Sequence, residues 1–263
     1  MTPTDTWAAG QAYEPFIGRW SRLVAAEFLP WLDVPPGAGW ADVGCGTGAV
    51  AAQVLAHAVP RSVIGIDPAP GFVTHARERA ADPRASWVVG DAQALPVPDA
   101  AVDAAIAALV LNFVPDPARA VREMARITRP GGTVAAYVWD YAEGMQLLRH
   151  FWDAAASLDP AAAALDEAVR FPLCRQGGLA AVFDDAGLTA VTDRPIEVPT
   201  RFSDFDDYWT PFLGGQGPAP TYCATLSAER LDRLRRLLQS TLPVAADGTI
   251  SLLARAWAVR GRR

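Results

Sequence analysis

Three observations predict a doubly wound α/β fold built on a parallel sheet. From residue 38 to residue 139, short apolar runs alternate with helical patterns, which is the rhythm of βαβ units. A glycine turn, Gly44-Cys45-Gly46-Thr47-Gly48, joins the first run to the first of these helices. The chain has 263 residues, 51% hydrophobic and 20% charged, so it can bury a large core.

The elements follow in order. Residues 1–15 carry no period. Phe16 to Leu32 is a helix, with Ile17, Trp20, Leu23, Val24, Phe28 and Leu32 on one face. Pro35, Pro36, Gly37 and Gly39 break it. Trp40 to Val43 is the first strand, and a helix runs from Ala49 to Ala58. Ser62 to Ile66 is a second strand, closed by Asp67-Pro68, and a helix spans Gly71 to Ala81. Ser86 to Val89 is the third strand, closed by Gly90-Asp91, and Val102 to Ala108 the fourth. Asp116-Pro117 starts a helix, with aspartate as cap and proline at the first helical position. Pro130-Gly131-Gly132 ends it, and Thr133 to Trp139 is the fifth strand. Residues 143–187 are mainly helical. Leu188 to Thr200 is a strand, 203–242 are helices around a loop from Gly214 to Pro220, and Thr249 to Arg260 is the last strand. The corresponding domains are 1–36, an N-terminal helical cap; 37–140, a cofactor-binding core; 141–187, a helical insertion; and 188–263, strands completing the sheet around a second insertion at about 201–248.

Composition excludes several classes. The net charge is −6, and all 23 basic residues are arginine. An acidic surface argues against a nucleic-acid partner. Three scattered cysteines, Cys45, Cys174 and Cys223, give no disulfide framework and no metal-type pair. The N-terminus lacks the pattern of a signal peptide, and the apolar stretch from Ala104 to Leu111 is too short for a membrane span. These features predict a cytoplasmic protein with no metal.

The glycine turn is the strongest chemical signal. It lets a ligand approach the backbone and sets it against a helix N-terminus. Gly44, Gly46 and Ala49 satisfy the dinucleotide fingerprint, and Asp67 lies about twenty residues on, where a carboxylate accepts ribose hydroxyls in either kind of nucleotide site. Asp42 precedes the glycines inside the strand, and Gly90-Asp91-Ala92 closes the third strand.

With these residues the sequence resembles class I S-adenosylmethionine-dependent methyltransferases, and more narrowly the type 11 small-molecule group that includes the ubiquinone and menaquinone methyltransferases. The resemblance rests on ADVGCGTG (41–48), VIGIDPAPGFVTHAR (63–77), VVGDAQALPVPDAAVDAA (88–105) and LNFVPDPARAVREMARITRPGGTVAAYVW (111–139). It covers about two fifths of the chain and does not specify a substrate. It implies a Rossmann-like seven-stranded sheet with the last strand antiparallel. It implies that Gly44, Gly46 and Gly48 surround the methionine part of the cofactor and that Asp42 holds the loop or the cofactor ammonium. Asp67 then takes the ribose diol, Pro68 packs the adenine edge, Asp91 and the Ala92 amide read the adenine, and Leu109 borders the cofactor. Relatives often carry histidine where this chain has Asn112.

Outside that segment the reading is open. Tyr13 and Arg19 lie before and within the first helix, and Arg19 is a candidate partner of the cofactor carboxylate. His150 is a candidate general base or an ordinary helix residue. Asp140 follows the fifth strand, at the edge where α/β sheets bind ligands, or caps the next turn. Aromatic residues from Trp139 to Phe212 either line an acceptor pocket or form a core. The predicted function is methyl transfer to a small, apolar or aromatic acceptor. An NAD-type oxidoreductase and a non-catalytic S-adenosylmethionine-binding protein are the alternatives. The oligomeric state is not legible.

Overall fold

The structure is a computed structural model, and it describes residues 18–214 and 217–263. Along the chain run α1 (Arg19–Trp31), β1 (Gly39–Val43), α2 (Ala49–His57), β2 (Ser62–Asp67), α3 (Pro70–Arg79), β3 (Ala85–Val89) and β4 (Val102–Ala108). Then come α4 (Pro117–Ile127), β5 (Thr128–Trp139), α5 (Gln146–Leu158), α6 (Glu167–Arg170), α7 (Gly178–Asp185) and β6 (Thr189–Phe202). The chain finishes with α8 (Phe205–Trp209), α9 (Pro218–Thr225), α10 (Ala228–Thr241) and β7 (Ile250–Arg262). Local chemistry explains the starts. Asp116 accepts the Arg119 N–H at 2.8 Å with Pro117 at the first position of α4, and Asp204 and Ser227 cap α8 and α10 in the same way.

The strands form a seven-stranded sheet in the order β3-β2-β1-β4-β5-β7-β6. The first five pair in parallel. Residues 131 and 140 of the β5 side bond to residues 263 and 255 respectively, each at 2.9 Å, so β7 runs antiparallel. This is the fold class the sequence predicts. Order reverses between β1 and β4, which puts a ligand crevice at the carboxyl ends of those strands. Among the described residues no helix is long and apolar enough to cross a membrane, and no cluster of potential metal ligands occurs.

β5 begins five residues before the expected Thr133. A step of two residues along β4, from Val102 to Ala104, is matched by a step of five along β5, from Thr128 to Thr133. The extra residues form a bulge at Pro130-Gly131-Gly132, where Gly131 has φ +76°. The chain end holds it: Gly131 N–H donates to the Arg263 carbonyl, and Arg263 N–H to the Gly132 carbonyl. The expected loop from Gly214 to Pro220 is also shorter, since Pro218 opens α9.

The chain divides into two compact units interleaved in sequence. One comprises Arg22–Val138, Gln176–Ile196 and Ala256–Arg263. Its core includes Phe28, packed edge-on against Tyr137 at 4.8 Å, with Val24, Val54, Ile106 and Val134 fully buried. The other comprises, of the described residues, 18–21, Trp139–Arg175 and Glu197–Arg255. Here Phe151 stacks on Phe212 at 4.5 Å and Tyr208 donates its hydroxyl to the Leu147 carbonyl at 3.0 Å. Trp139, Trp152, Phe202 and Trp209 are buried beside them. The aromatic set is thus chiefly a core, not the lining of an open pocket. Phe151→Ala should therefore destabilise this unit by about 3–5 kcal/mol, read as a lowered denaturant midpoint; an unchanged midpoint would show that the stack does not carry the unit.

Candidate functional site

Parallel pairing of β1 with β2 sets Val43 beside Ile66. The chain then leaves the sheet with Gly44 and Cys45 N–H both donating to the Ile66 carbonyl, at 2.7 and 3.0 Å. Gly44, Gly46 and Gly48 have φ of +73°, +51° and +81°, which only glycine adopts without cost. Their surroundings differ. A Cβ on Gly44 would lie 2.3 Å from Val110 Cγ2, and one on Gly48 would lie 2.8 Å from the Trp87 ring. Among the described residues, a Cβ on Gly46 would meet nothing within 4 Å. Two glycines thus let β4 and β3 pack against the turn, and the third keeps a space open.

Two buried carboxylates hold the turn. Asp67 Oδ2 accepts the Gly46 N–H and Oδ1 accepts the Ala69 N–H, each at 2.9 Å. Asp42 Oδ2 accepts the Ala51 N–H at 3.0 Å, in the first turn of α2, so it caps that helix from the strand. Its Oδ1 is buried without a partner among the described residues. Burial pushes the Asp42 carboxyl up to about 7; the Ala51 N–H opposes the rise and the Asp67 charge adds to it. Burial also raises Asp67, against the pull of its two backbone donors. Burial likewise raises the Cys45 thiol, with Asp42 and Asp67 adding to it, so this cysteine is no nucleophile.

The other predicted residues of this unit lie around the same strand ends. Pro68 is exposed within the turn that Asp67 closes on Ala69. Asp91, exposed after β3, accepts the Gln93 N–H at 2.8 Å, and Ala92 is buried. Leu109 continues the β4 ladder by donating to the Tyr137 carbonyl at 2.8 Å, yet has φ +59°. A non-glycine residue in that region is strained, and such strain concentrates at functional sites. Asn112, in the short turn after β4, has a buried Nδ2 without a partner among the described residues.

The remaining candidates belong to the other unit. Arg19 donates to Asp207 at 2.8 Å and lies over the Trp20 and Phe202 rings. His150 is half-buried on α5, and that burial lowers its pKa despite the nearby Asp153. Asp140 is 2% exposed. Its Oδ1 accepts the Ala142 and Glu143 N–H groups, and its Oδ2 takes Arg255 Nε at 2.7 Å. Both oxygens are engaged, so Asp140 organises its turn and is not placed as a catalytic group. Tyr13 lies outside the described residues. Sequence reasoning missed Trp87 and Val110, whose signal was the run of glycines facing them, and the side chains of α4 that bind the loop after β3.

Two outcomes follow from this geometry. Gly44→Ala should destabilise the fold strongly, whereas Gly46→Ala should cost only the backbone strain of about 1–2 kcal/mol; equal denaturant shifts for the two variants would contradict the packing. The second concerns pH. Folded Asp42 keeps its proton up to about 7, whereas the unfolded residue releases it near 3.8. Between those values the folded state binds more protons, so unfolding free energy falls as pH rises. Asp42→Asn keeps an acceptor for Ala51 and should flatten that fall; urea midpoints that decline equally in both proteins would refute it.

Known proteins are similar to this chain over the same segment. The family model Methyltransf_11, described as a methyltransferase domain, matches residues 41–136. The chain is 29% identical over 187 residues to 2-methyl-6-phytyl-1,4-hydroquinone methyltransferase of Synechocystis, covering 70% of this chain and 57% of the relative. It is 36% identical over 113 residues to malonyl-[acyl-carrier protein] O-methyltransferase of Serratia marcescens, covering 43% of each. It thus spans from about a third to somewhat over half of the curated relatives it matches. Its fold is similar to that of phosphoethanolamine N-methyltransferase 2 of Haemonchus contortus, solved with S-adenosyl-L-methionine, with a TM-score of 0.59 at 16% identity over 95% of this chain and 56% of that one. Residues 41–136 of this chain are thus similar to a methyltransferase domain.

Proposed function

We propose that the chain transfers a methyl group from S-adenosylmethionine to a small, apolar or aromatic acceptor. One observation carries the cofactor assignment: the Asp67 carboxylate and the Gly46 N–H meet beneath a space left open above Gly46. The residues present fit that cofactor. The open glycine accommodates the methionine part, the partnerless Asp42 Oδ1 favours a cationic neighbour, and each Asp67 oxygen keeps a lone pair for a ribose hydroxyl. An apolar or aromatic acceptor is supported by the hydroquinone relative.

When bound, S-adenosylmethionine supplies a methyl group on a sulfonium, which leaves as a neutral thioether. The chain's own work is then to bind, orient and exclude water. The glycine turn and Asp42 hold the methionine part. Asp67 holds the ribose, with Pro68 beside it, Asp91 and Ala92 read the base, and Leu109 borders the reacting side. Arg19, released from Asp207, and Tyr13 are assigned to the carboxylate. His150, kept neutral at neutral pH by burial, is the base where the acceptor starts protonated. Asp140 is assigned a positioning role through its turn and Arg255.

The test is ligand-dependent thermal stabilisation. S-adenosylhomocysteine should raise the melting temperature and NAD should not; the reverse result would favour an oxidoreductase. In calorimetry, Asp67→Asn should weaken S-adenosylhomocysteine binding about tenfold or more, since a hydrogen bond to a charged group is worth about 1.5–3 kcal/mol. Unchanged affinity in the folded variant would remove Asp67 from the site.

A further inference from the structure

The proposed function puts base recognition on Asp91 and Ala92, and this inference rests on that reading. These residues open a stretch from Gly90 to Ala100 that runs from β3 to β4 with no helix or strand of its own. Such a segment has few internal bonds to fix it. Its own backbone supplies the Ala94 N–H to Asp91 carbonyl bond at 3.0 Å. Much of the rest comes from α4, which follows later in the chain.

Arg126 is the centre of that support. Its Nη1 donates to the Val97 carbonyl at 2.9 Å and its Nη2 to the Leu95 carbonyl at 3.0 Å. The same guanidinium is clamped by Glu123, with Nε to Oε1 at 2.7 Å and Nη2 to Oε2 at 2.8 Å. Glu123 Oε2 also accepts the Leu95 N–H at 2.8 Å. One ion pair therefore satisfies both the N–H and the carbonyl of Leu95 and the carbonyl of Val97. A second contact lies nearer the base-reading residues. Arg119 Nε donates to the Gln93 carbonyl at 2.8 Å, and the Gln93 side chain accepts the Asp116 N–H at 3.2 Å. Gln93 N–H in turn donates to Asp91. Leu95 and Val97 are buried, and a Cβ on Gly90 would lie 2.6 Å from Pro96, so the segment folds back tightly at both ends.

We propose that Arg126 and Glu123, with Arg119, form a strap that positions Asp91 and Ala92 for recognition of the adenine base. They are positioning residues and touch no ligand themselves. A planar fork that binds two carbonyls and the carboxylates of Glu123 and Asp99 at once is specific to arginine, so lysine should not replace Arg126.

The strap is tested by base discrimination and not by affinity alone. Calorimetry compares S-adenosylhomocysteine with S-inosylhomocysteine, in which a carbonyl oxygen replaces the adenine amino group. Wild type should prefer the adenine form. Arg126→Ala and Arg126→Lys should lose most of that preference, on the order of tenfold, while binding of the inosine form changes little. Arg119→Ala, an exposed change that leaves the core intact, should lower the ratio in the same direction and decides the matter if the Arg126 variants do not fold. Folded variants that keep the wild-type ratio overturn the strap alone, including the case where both ligands weaken equally, which is what a merely structural role gives. Wild type that binds neither ligand overturns the proposed function and the strap with it.

Discussion

The parallel register of β1 with β2 is the constraint from which the site follows. Setting Val43 beside Ile66 ends both strands at one edge, and it is there that the Asp42 and Asp67 carboxylates are buried. Like charges confined together in a dry place raise each other's pKa, and a carboxylate is removed from water only where donors replace it. The available donors are backbone N–H groups of the glycine turn and of the first turn of α2. The turn conformation and the carboxylates therefore depend on each other. The arrangement is incompletely satisfied, since Asp42 Oδ1 has no partner among the described residues. A buried acceptor without a donor costs stability. It is the kind of local tension that a bound cation relieves, and the strained Leu109 at the end of β4 adds a second such point.

Where local chemistry decides structure, the sequence was readable. The cap at Asp116-Pro117, the glycine turn and the carboxylate that closes β2 each act over a few residues and stand where the pattern put them. Pro130-Gly131-Gly132 shows the opposite case. It carries the strongest local signal for a break, yet it lies within β5 because the chain terminus, over a hundred residues away, pairs with it. The aromatic residues after Trp139 were left open between a pocket and a core for a related reason. A side chain that lines a pocket and one that fills a core have the same spacing along a helix, and only the partner distinguishes them. Phe151 found Phe212, and Tyr208 found a carbonyl. Asp140 sat at the right edge of the sheet, but its two oxygens were claimed by its own turn and by Arg255.

The exclusive use of arginine among the basic residues has a structural consequence, whatever its origin in base composition. Lysine offers one compact ammonium, whereas a guanidinium serves several acceptors in fixed directions. This chain uses that property repeatedly. Arg84 ties Asp82 to the Leu55 carbonyl, Arg126 ties Glu123 to the segment after β3, and Arg255 gathers Asp140, Glu143 and Glu197. Arg263 reaches the carbonyls of Arg126 and Thr128 at the start of the bulge. Irregular backbone that would otherwise be left to solvent is thereby held from outside the segment.

The sequence speaks more clearly of a cofactor than of an acceptor, and the reason is chemical. Methyl transfer from a sulfonium needs little more than an oriented nucleophile, so the reaction imposes no fixed set of reacting side chains. The cofactor imposes much more: a close backbone approach, a carboxylate for the ribose and an edge for the base. In the proposed reading these requirements fall on a short, contiguous stretch, the segment 41–136 that the family model matches. The proposed acceptor side falls instead on residues after β5, whose described aromatic side chains pack chiefly against one another. A base such as His150 is then useful only to the extent that the acceptor holds its proton at neutral pH. On the proposed reading, the identity of the acceptor therefore decides whether this chain has a catalytic residue at all.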